Sequence, residues 1–251
     1  MDNNERMLGL LLDIGEVMIK NGSEVKRVEE TITLMGRAYG ADKMDVFVIT
    51  SSIVVTMNFH NDKSVSRTRR ILQSPITDFK KLENINDLSR RYCCDAFSLD
   101  ELEKELKKIN NAEIRLHRRC IGGMLLTGTL TIFYGGNIKD GIIAMLVALI
   151  ICILQKYFAP LCTNTVFFNF LCSFVAGVLI CVISRVISVN IDKIMIGDIM
   201  LLIPGIALTN SVKDVFVGDT ISGIMRLAES FMWAGALACG FMLSFWINTM
   251  I

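Results

Sequence analysis

The chain changes character once, and that change limits its architecture more than any motif does. From Met1 to about Arg119 charged and apolar residues are mixed in short runs; from Cys120 to Ile251 the sequence is mostly apolar with sparse charges. The first part is long enough for one small domain with its own core. The second has room for several membrane-crossing helices of ~20 residues each. The expected architecture is a cytoplasmic α+β domain over residues 1–115, helices flanking a small sheet, followed by an all-α polytopic membrane bundle over 116–251.

Charge supports that order. The net charge is only +1, yet fourteen Lys and Arg fall between Lys63 and Arg119. A basic flank ending in Arg115, Arg118 and Arg119, directly before a first span, marks the cytoplasmic side. Acidic residues are interleaved with these bases, so no nucleic-acid partner is expected. The start, MDNNERMLGLLLDIGEVMIK, lacks a basic leader region, and Asp13 and Glu16 interrupt its apolar stretch, so the first domain is expected in the cytosol. The eight cysteines are scattered without a Cys-x-x-Cys, and there are two histidines, so neither a metal nor a cofactor is expected.

Within the first part, Met7, Leu11, Ile14 and Met18 recur at helical spacing up to a stop at Asn21-Gly22. Ser23 is positioned to cap a second helix with Glu24 in its first turn, whose buried stripe is Val25, Val28, Ile32, Met35 and Tyr39, ended by Gly40. Met44–Thr50 and Ile53–Phe59 are rich in β-branched and aromatic residues on either side of Ser51-Ser52, and predict a strand pair. Val65–Ile71 alternates apolar or small residues with Arg, which predicts a third strand with one wet face, closed by Pro75. Thr77 is expected to cap a helix over Asp78–Tyr92, and the capping box Ser98-Leu99-Asp100-Glu101 opens another through Ile109.

The second part predicts about five spans, near 120–136, 139–155, 165–185, 193–210 and 225–248. With the first domain inside, Lys156, Lys213 and Arg226 fall on the cytoplasmic side and Lys139, Arg185 and Lys193 outside, so orientation rests on the basic approach. Gly122-Gly123, Gly128, Gly177 and the Gly235–Gly240 region permit close helix packing.

The residues that carry chemistry lie in IMIGDIMLLIPGIALTNSVKDVFVGDTISG, Ile194–Gly223. Asp198 stands in an apolar run one or two turns before Pro204-Gly205. A charge at bilayer depth costs ~2.5–3.5 kcal/mol, and broken membrane helices line cavities in transporters. Asp198 is therefore a candidate for holding an ammonium group or a proton, or else a solvated cap near the surface, Lys193 being five residues away. Thr209, Asn210 and Ser211 read as pathway residues or as a helix C-cap and turn. Lys213, Asp214, Asp219, Arg226 and Glu229 form a prospective ion-pair set, with Glu229 a second candidate for a buried acid. A nucleophilic hydrolase in the first domain is the alternative, but Thr50, Ser51 and Ser52 have only His60 near them in sequence, and there is no Gly-x-Ser-x-Gly elbow or phosphate loop.

Gly15-Glu16, Gly22, Arg27-Val28-Glu29 with Thr31, and the Asp45–Thr50 strand resemble the N-terminal domain of the threonine/serine exporter family. Ile203-Pro204-Gly205-Ile206, Thr209-Asn210, Lys213-Asp214, Gly218-Asp219 and Arg226-Leu227-Ala228-Glu229 resemble its membrane signature, with Lys213 where the family typically has Arg. The resemblance implies a bacterial inner-membrane secondary exporter of small polar metabolites, either threonine- or serine-type amino acids or dicarboxylates such as succinate. It implies proton coupling, a small polytopic membrane partner and a homo- or hetero-oligomer. Taken with the lone acid in the apolar run, the candidate pathway residues are Asp198, Pro204, Gly205, Thr209, Asn210, Asp214, Asp219, Arg226 and Glu229.

Overall fold

The structure, a computed structural model, describes residues 3–60, 63–71, 77–112, 116–162 and 164–250. Pro75 and Arg115, invoked above, lie outside these. The chain divides into two compact units, one of Met1–Glu113 with Ile206–Leu227, the other of Ile114–Gly205 with Ala228–Ile251. The stretch after the Pro-Gly step thus joins the first unit rather than the apolar one.

In the first unit, α1 (Asn3–Lys20) and α2 (Val25–Tyr39) form a helical hairpin that covers one face of an antiparallel sheet. Strands β1 (Lys43–Ile49), β2 (Ser52–Asn58) and β3 (Ser64–Arg70) run in that spatial order, with Val46 opposite Val55 and Val55 opposite Arg67. Strand β2 alternates as its sequence demands, and Ile53, Val55 and Met57 are fully buried against Leu11, Ile14 and Ile32. Full burial of such side chains contributes ~1.5–3 kcal/mol each. Strand β3 keeps a largely wet face, as its Arg-rich alternation predicts. Helix α3 (Phe79–Cys94) and helix α4 (Leu99–Asn111) follow, Tyr92 packing into the core beside Met7.

Two caps differ from expectation. Asp78, not Thr77, caps α3, its Oδ1 accepting from the Lys80 and Lys81 amides at 3.0 Å, because a carboxylate is the stronger acceptor and sits two to three residues from the open amides. Ser23 does not cap α2: Glu24 holds the cap position without a side-chain bond to the helix. Ser98 does cap α4 as expected, accepting from the Glu101 amide at 3.3 Å.

The second unit contains α5 (Leu116–Phe133), α6 (Ile138–Tyr157), α7 (Thr165–Val186), α8 (Ile191–Leu202) and the larger part of a long later helix, Thr220–Met250. Helix α6 is apolar all round: Ala144, Val147 and Ile151 are buried while Ile142, Leu146 and Ile153 face outward. A helix with no polar face belongs in an apolar solvent. Three described helices, α6, α7 and Thr220–Met250, are long and apolar enough to cross a membrane. The expected fourth span, 193–210, is two short helices instead, α8 and α9 (Gly205–Val217), separated at Ile203-Pro204. The long helix after them, Thr220–Met250, is α10. Glycines do the packing work assigned to them where helices meet. Gly177 and Gly240 bring α7 and α10 together at Ser244 and Ser173, whereas Gly122 and Gly235 face open space.

Candidate functional site

The sequence Ile203-Pro204 dictates where α8 stops. Ile203 adopts an extended conformation, φ −67 and ψ 133, as the residue before a proline must, while its amide still reaches the Ile199 carbonyl at 2.9 Å. Pro204 has no N–H to continue the ladder. Upstream of the break, Ile194, Asp198 and Leu202 fall on one helical stripe. Ile194 and Leu202 belong to an apolar core with Ala144 and Ile151 of α6, Phe168 and Cys172 of α7 and Phe241 of α10. Asp198 lies between them, 0% exposed, and neither carboxylate oxygen has a hydrogen-bond partner among the described residues. This excludes the solvated-cap alternative. Next to it, Gly197 lies so close to α5 that a Cβ would strike the Thr131 side chain and approach the Thr127 carbonyl. Thr131 Oγ1 is itself sealed and without a partner among the described residues.

A second acid of this unit is as deeply buried but fully bonded. Asp140, 1% exposed, accepts from the Asn190 amide at 3.0 Å, the Asn190 side-chain nitrogen at 2.8 Å and the Asn137 amide at 2.8 Å. The last bond completes a capping box at the start of α6, and the first two tie that start to the residue before α8. Sequence reading missed Asp140 and Asn190; the Asn137-x-x-Asp140 spacing ahead of an apolar run was the available signal. Asp140 therefore organises helix starts, whereas Asp198 has no hydrogen-bond partner to satisfy among the described residues. A carboxylate in that position holds a proton or attracts a cation, because an isolated buried charge costs several kcal/mol.

In the first unit, the polar residues of α9 meet the corner between α1 and α2. Asp214, 2% exposed, lies 3.2 Å from Arg226 of α10 and also accepts from the Val25 backbone amide. Val25 is the first residue of α2, so Asp214 supplies the cap that Ser23 does not. Arg226 donates to the Ser23 carbonyl at 3.4 Å, Asn210 to the Gly22 carbonyl at 3.1 Å, and Lys213 pairs with Glu24 at 2.8 Å. The turn between α9 and α10 places Gly218 at φ 104, a left-handed conformation that favours glycine. Its amide and that of Asp219 then close onto the Val215 and Asp214 carbonyls. Glu29 on α2 accepts from the Val48 amide at 3.0 Å. Burial pushes its carboxyl up, the amide opposes this, and the charge of Asp219 adds to it.

A family model described as "Putative threonine/serine exporter" matches residues 9–248. The chain belongs to the threonine/serine exporter family. A threonine/serine exporter of Corynebacterium glutamicum is 19% identical over 242 residues, which is 93% of this chain and 50% of that protein. A protein named "Probable threonine/serine exporter" from Mycobacterium tuberculosis (strain ATCC 25618 / H37Rv) is 20% identical over 252 residues, 96% of this chain and 46% of that protein. The chain thus spans about half the length of the curated relatives it matches. No solved structure matches.

For this member of the exporter family, the structure separates residues that the sequence places in one run. Asp198, Pro204 and Gly205 belong to the second unit, as does Glu229, half-buried on α10. Asn210, Asp214, Asp219 and Arg226 belong to the first unit, and Thr209 lies with them on α9. Thr209, Asn210 and Ser211 sit inside α9, so the C-cap alternative for them is wrong; the helix resumes at Gly205 and ends only at Val217. The prospective ion-pair set is also divided: Asp214 pairs with Arg226, while Lys213 turns to Glu24. Glu24, Val25 and Gly22 were not recognised as their partners, which lie about 190 positions away in the chain.

Proposed function

We propose that this chain is a subunit of a bacterial inner-membrane secondary transporter with its first unit in the cytosol. It exports small polar metabolites, threonine- or serine-type amino acids or a dicarboxylate such as succinate. The observation that carries this reading is Asp198: a fully buried carboxyl with no hydrogen-bond partner among the described residues, one helical turn and a half before a break. Neither a scaffold nor a tethered enzyme needs so costly a group, whereas a proton-linked carrier does. Asp198 takes up a proton, and its protonation state sets which arrangement around the Pro204 break is favoured. The family match supports export of amino acids. The three long apolar helices among the described residues provide little wall for a polar path, which supports a small membrane partner that completes it.

The hydrolase alternative gains nothing from the geometry. Ser51 and Ser52 stand at the start of β2, while His60 lies beyond the far end of that strand, paired with Asp42. A seven-residue strand spans roughly 20 Å, so this imidazole cannot serve as their base.

The test is efflux from cells preloaded with labelled threonine, serine or succinate, with this chain alone and with a co-expressed small membrane partner. Partner-dependent loss of one label that Asp198→Asn stops is the expected result. No loss of any label, with both chains in the membrane, sinks the reading.

A further inference from the structure

A cleft of about 350 Å³ opens in the first unit between α1, β3 and α4. Its charged lining is balanced: the acids are Asp13, Glu16 and Glu103, and the bases are Lys20, Arg69 and Lys107. Two of the acids are each held by two cations. Glu16 lies 2.6 Å from Lys20 and 2.7 Å from Arg69, and Glu103 lies 2.6 Å from Lys107 and 2.7 Å from Arg6. Asp13 has only a share of Arg69, whose Nη2 stands 2.8 Å from its Oδ1.

The acids respond accordingly. Lys107, then Arg6, pull the Glu103 carboxyl down to about 2. Burial raises Glu16, but Lys20 and Arg69 together hold it below its ordinary value. Asp13 goes the other way: burial pushes it up, and Arg69 does not offset that. The cleft therefore contains one acid short of positive charge. Across from it, Lys107 has a mostly exposed side chain that is able to turn toward a ligand.

We propose that this cleft binds a small zwitterion of the amino-acid class, its ammonium group held by Asp13 and its carboxylate by Lys107 and Lys20. The volume suits such a molecule with ordered water around it. Selectivity follows from the balanced lining. A dianion meets Asp13, Glu16 and Glu103, and a diamine meets Lys20, Arg69 and Lys107. A ligand with one charge of each sign sets its ammonium group against Asp13, the acid with only a share of Arg69, and its carboxylate against Lys107 and Lys20, with no second like charge at either end. The cleft lies wholly within the first unit, and its existence does not depend on the export reading; only the choice of threonine as the first probe does.

The experiment is calorimetric titration of the full chain in detergent micelles with threonine, with succinate and 1,4-diaminobutane as the dianion and the diamine. Threonine is expected to bind in preference to both. Asp13→Asn is expected to weaken it at least tenfold, the equivalent of ~1.4 kcal/mol. Lys107→Gln, on an exposed side chain, weakens it less and decides the matter should Asp13→Asn fail to fold. Asp198→Asn keeps the cleft signal, which separates this site from one in the second unit. Absence of heat at millimolar threonine overturns the proposal, and so does binding of succinate or the diamine equal to that of threonine. Threonine heat that survives both cleft variants and disappears with Asp198→Asn also overturns it, and places the ligand in the second unit.

Discussion

Helices α8 and α9 follow one another across Pro204, and each carries one deeply buried aspartate in an otherwise apolar or mixed helix. Asp214 on α9 is 2% exposed and has Arg226 at 3.2 Å together with the Val25 amide. Asp198 on α8 is 0% exposed and has no hydrogen-bond partner among the described residues. Burial alone does not distinguish them; partnering does. A buried acid enclosed by donors is part of the architecture, because its removal leaves those donors unsatisfied. A buried acid without donors weakens the fold, so its retention needs a chemical reason. The same contrast holds within the second unit, where Asp140 collects three bonds and joins two helix starts.

The largest effect expected from this contrast is on transport. Asp198→Asn should bring efflux to background while the protein still inserts and melts at an unchanged or higher temperature, since a bare carboxyl is exchanged for a neutral amide of the same shape. Flux at wild-type level, at equal protein, removes Asp198 from the mechanism. A fall in melting temperature reveals a partner for Asp198 and dissolves the contrast with Asp214.

The next effect is on stability. Asp214→Ala leaves the buried Arg226 without its carboxylate and α2 without its cap, and breaking a buried pair in this way costs ~3–5 kcal/mol. The double variant Asp214→Leu with Arg226→Met should recover most of the loss, because neither charge remains to be solvated. Thermal unfolding of the single and double variants in detergent checks both statements. A single variant that melts like the wild type demotes the pair to an incidental contact.

What the sequence made legible and what it hid follow the same line between local and distant partners. The stripe Met7, Leu11, Ile14 and Met18, the alternation of Ile53, Val55 and Met57, and the Ser98 cap all depend on neighbours a few positions away, and each stands where periodicity put it. The stop at Ile203 was equally local, since Pro204 enforces it. The cap of α2 was not local: Ser23 has the right chemistry at the right position, yet the Val25 amide goes to Asp214, nearly two hundred residues on. For the same reason hydropathy carried the expected fourth span across Pro204 to residue 210, although the chain after Gly205 packs with the first unit. Asp198 was legible as a lone acid in an apolar run; that it has no hydrogen-bond partner among the described residues was not.

A smaller effect is expected from Pro204→Ala. Restoring the amide allows the ladder of α8 to extend toward α9, and a straighter segment should slow efflux several-fold without abolishing it, because Asp198 keeps its place. Efflux rates measured beside Asp198→Asn at matched expression test this. Equal rates for Pro204→Ala and wild type make the break a structural feature, and the comparison between the two helices then concerns their acids alone.

The smallest effect should come from Lys213→Ala. Lys213 is joined to Glu24 at 2.8 Å, closer than the 3.2 Å between Asp214 and Arg226, but its side chain is 57% exposed and that of Glu24 30%. Water and salt screen such a pair, and exposed pairs contribute ~0.2–1 kcal/mol, several times less than the sealed Asp214–Arg226 pair one residue further along α9. The two substitutions therefore sort adjacent charges by burial. Lys213→Ala should move the melting temperature by a fraction of the shift seen for Asp214→Ala, and added salt should erase even that. If Lys213→Ala costs as much as Asp214→Ala, then the α9 contact depends on the charged rim as a whole, and the buried aspartate loses its separate standing.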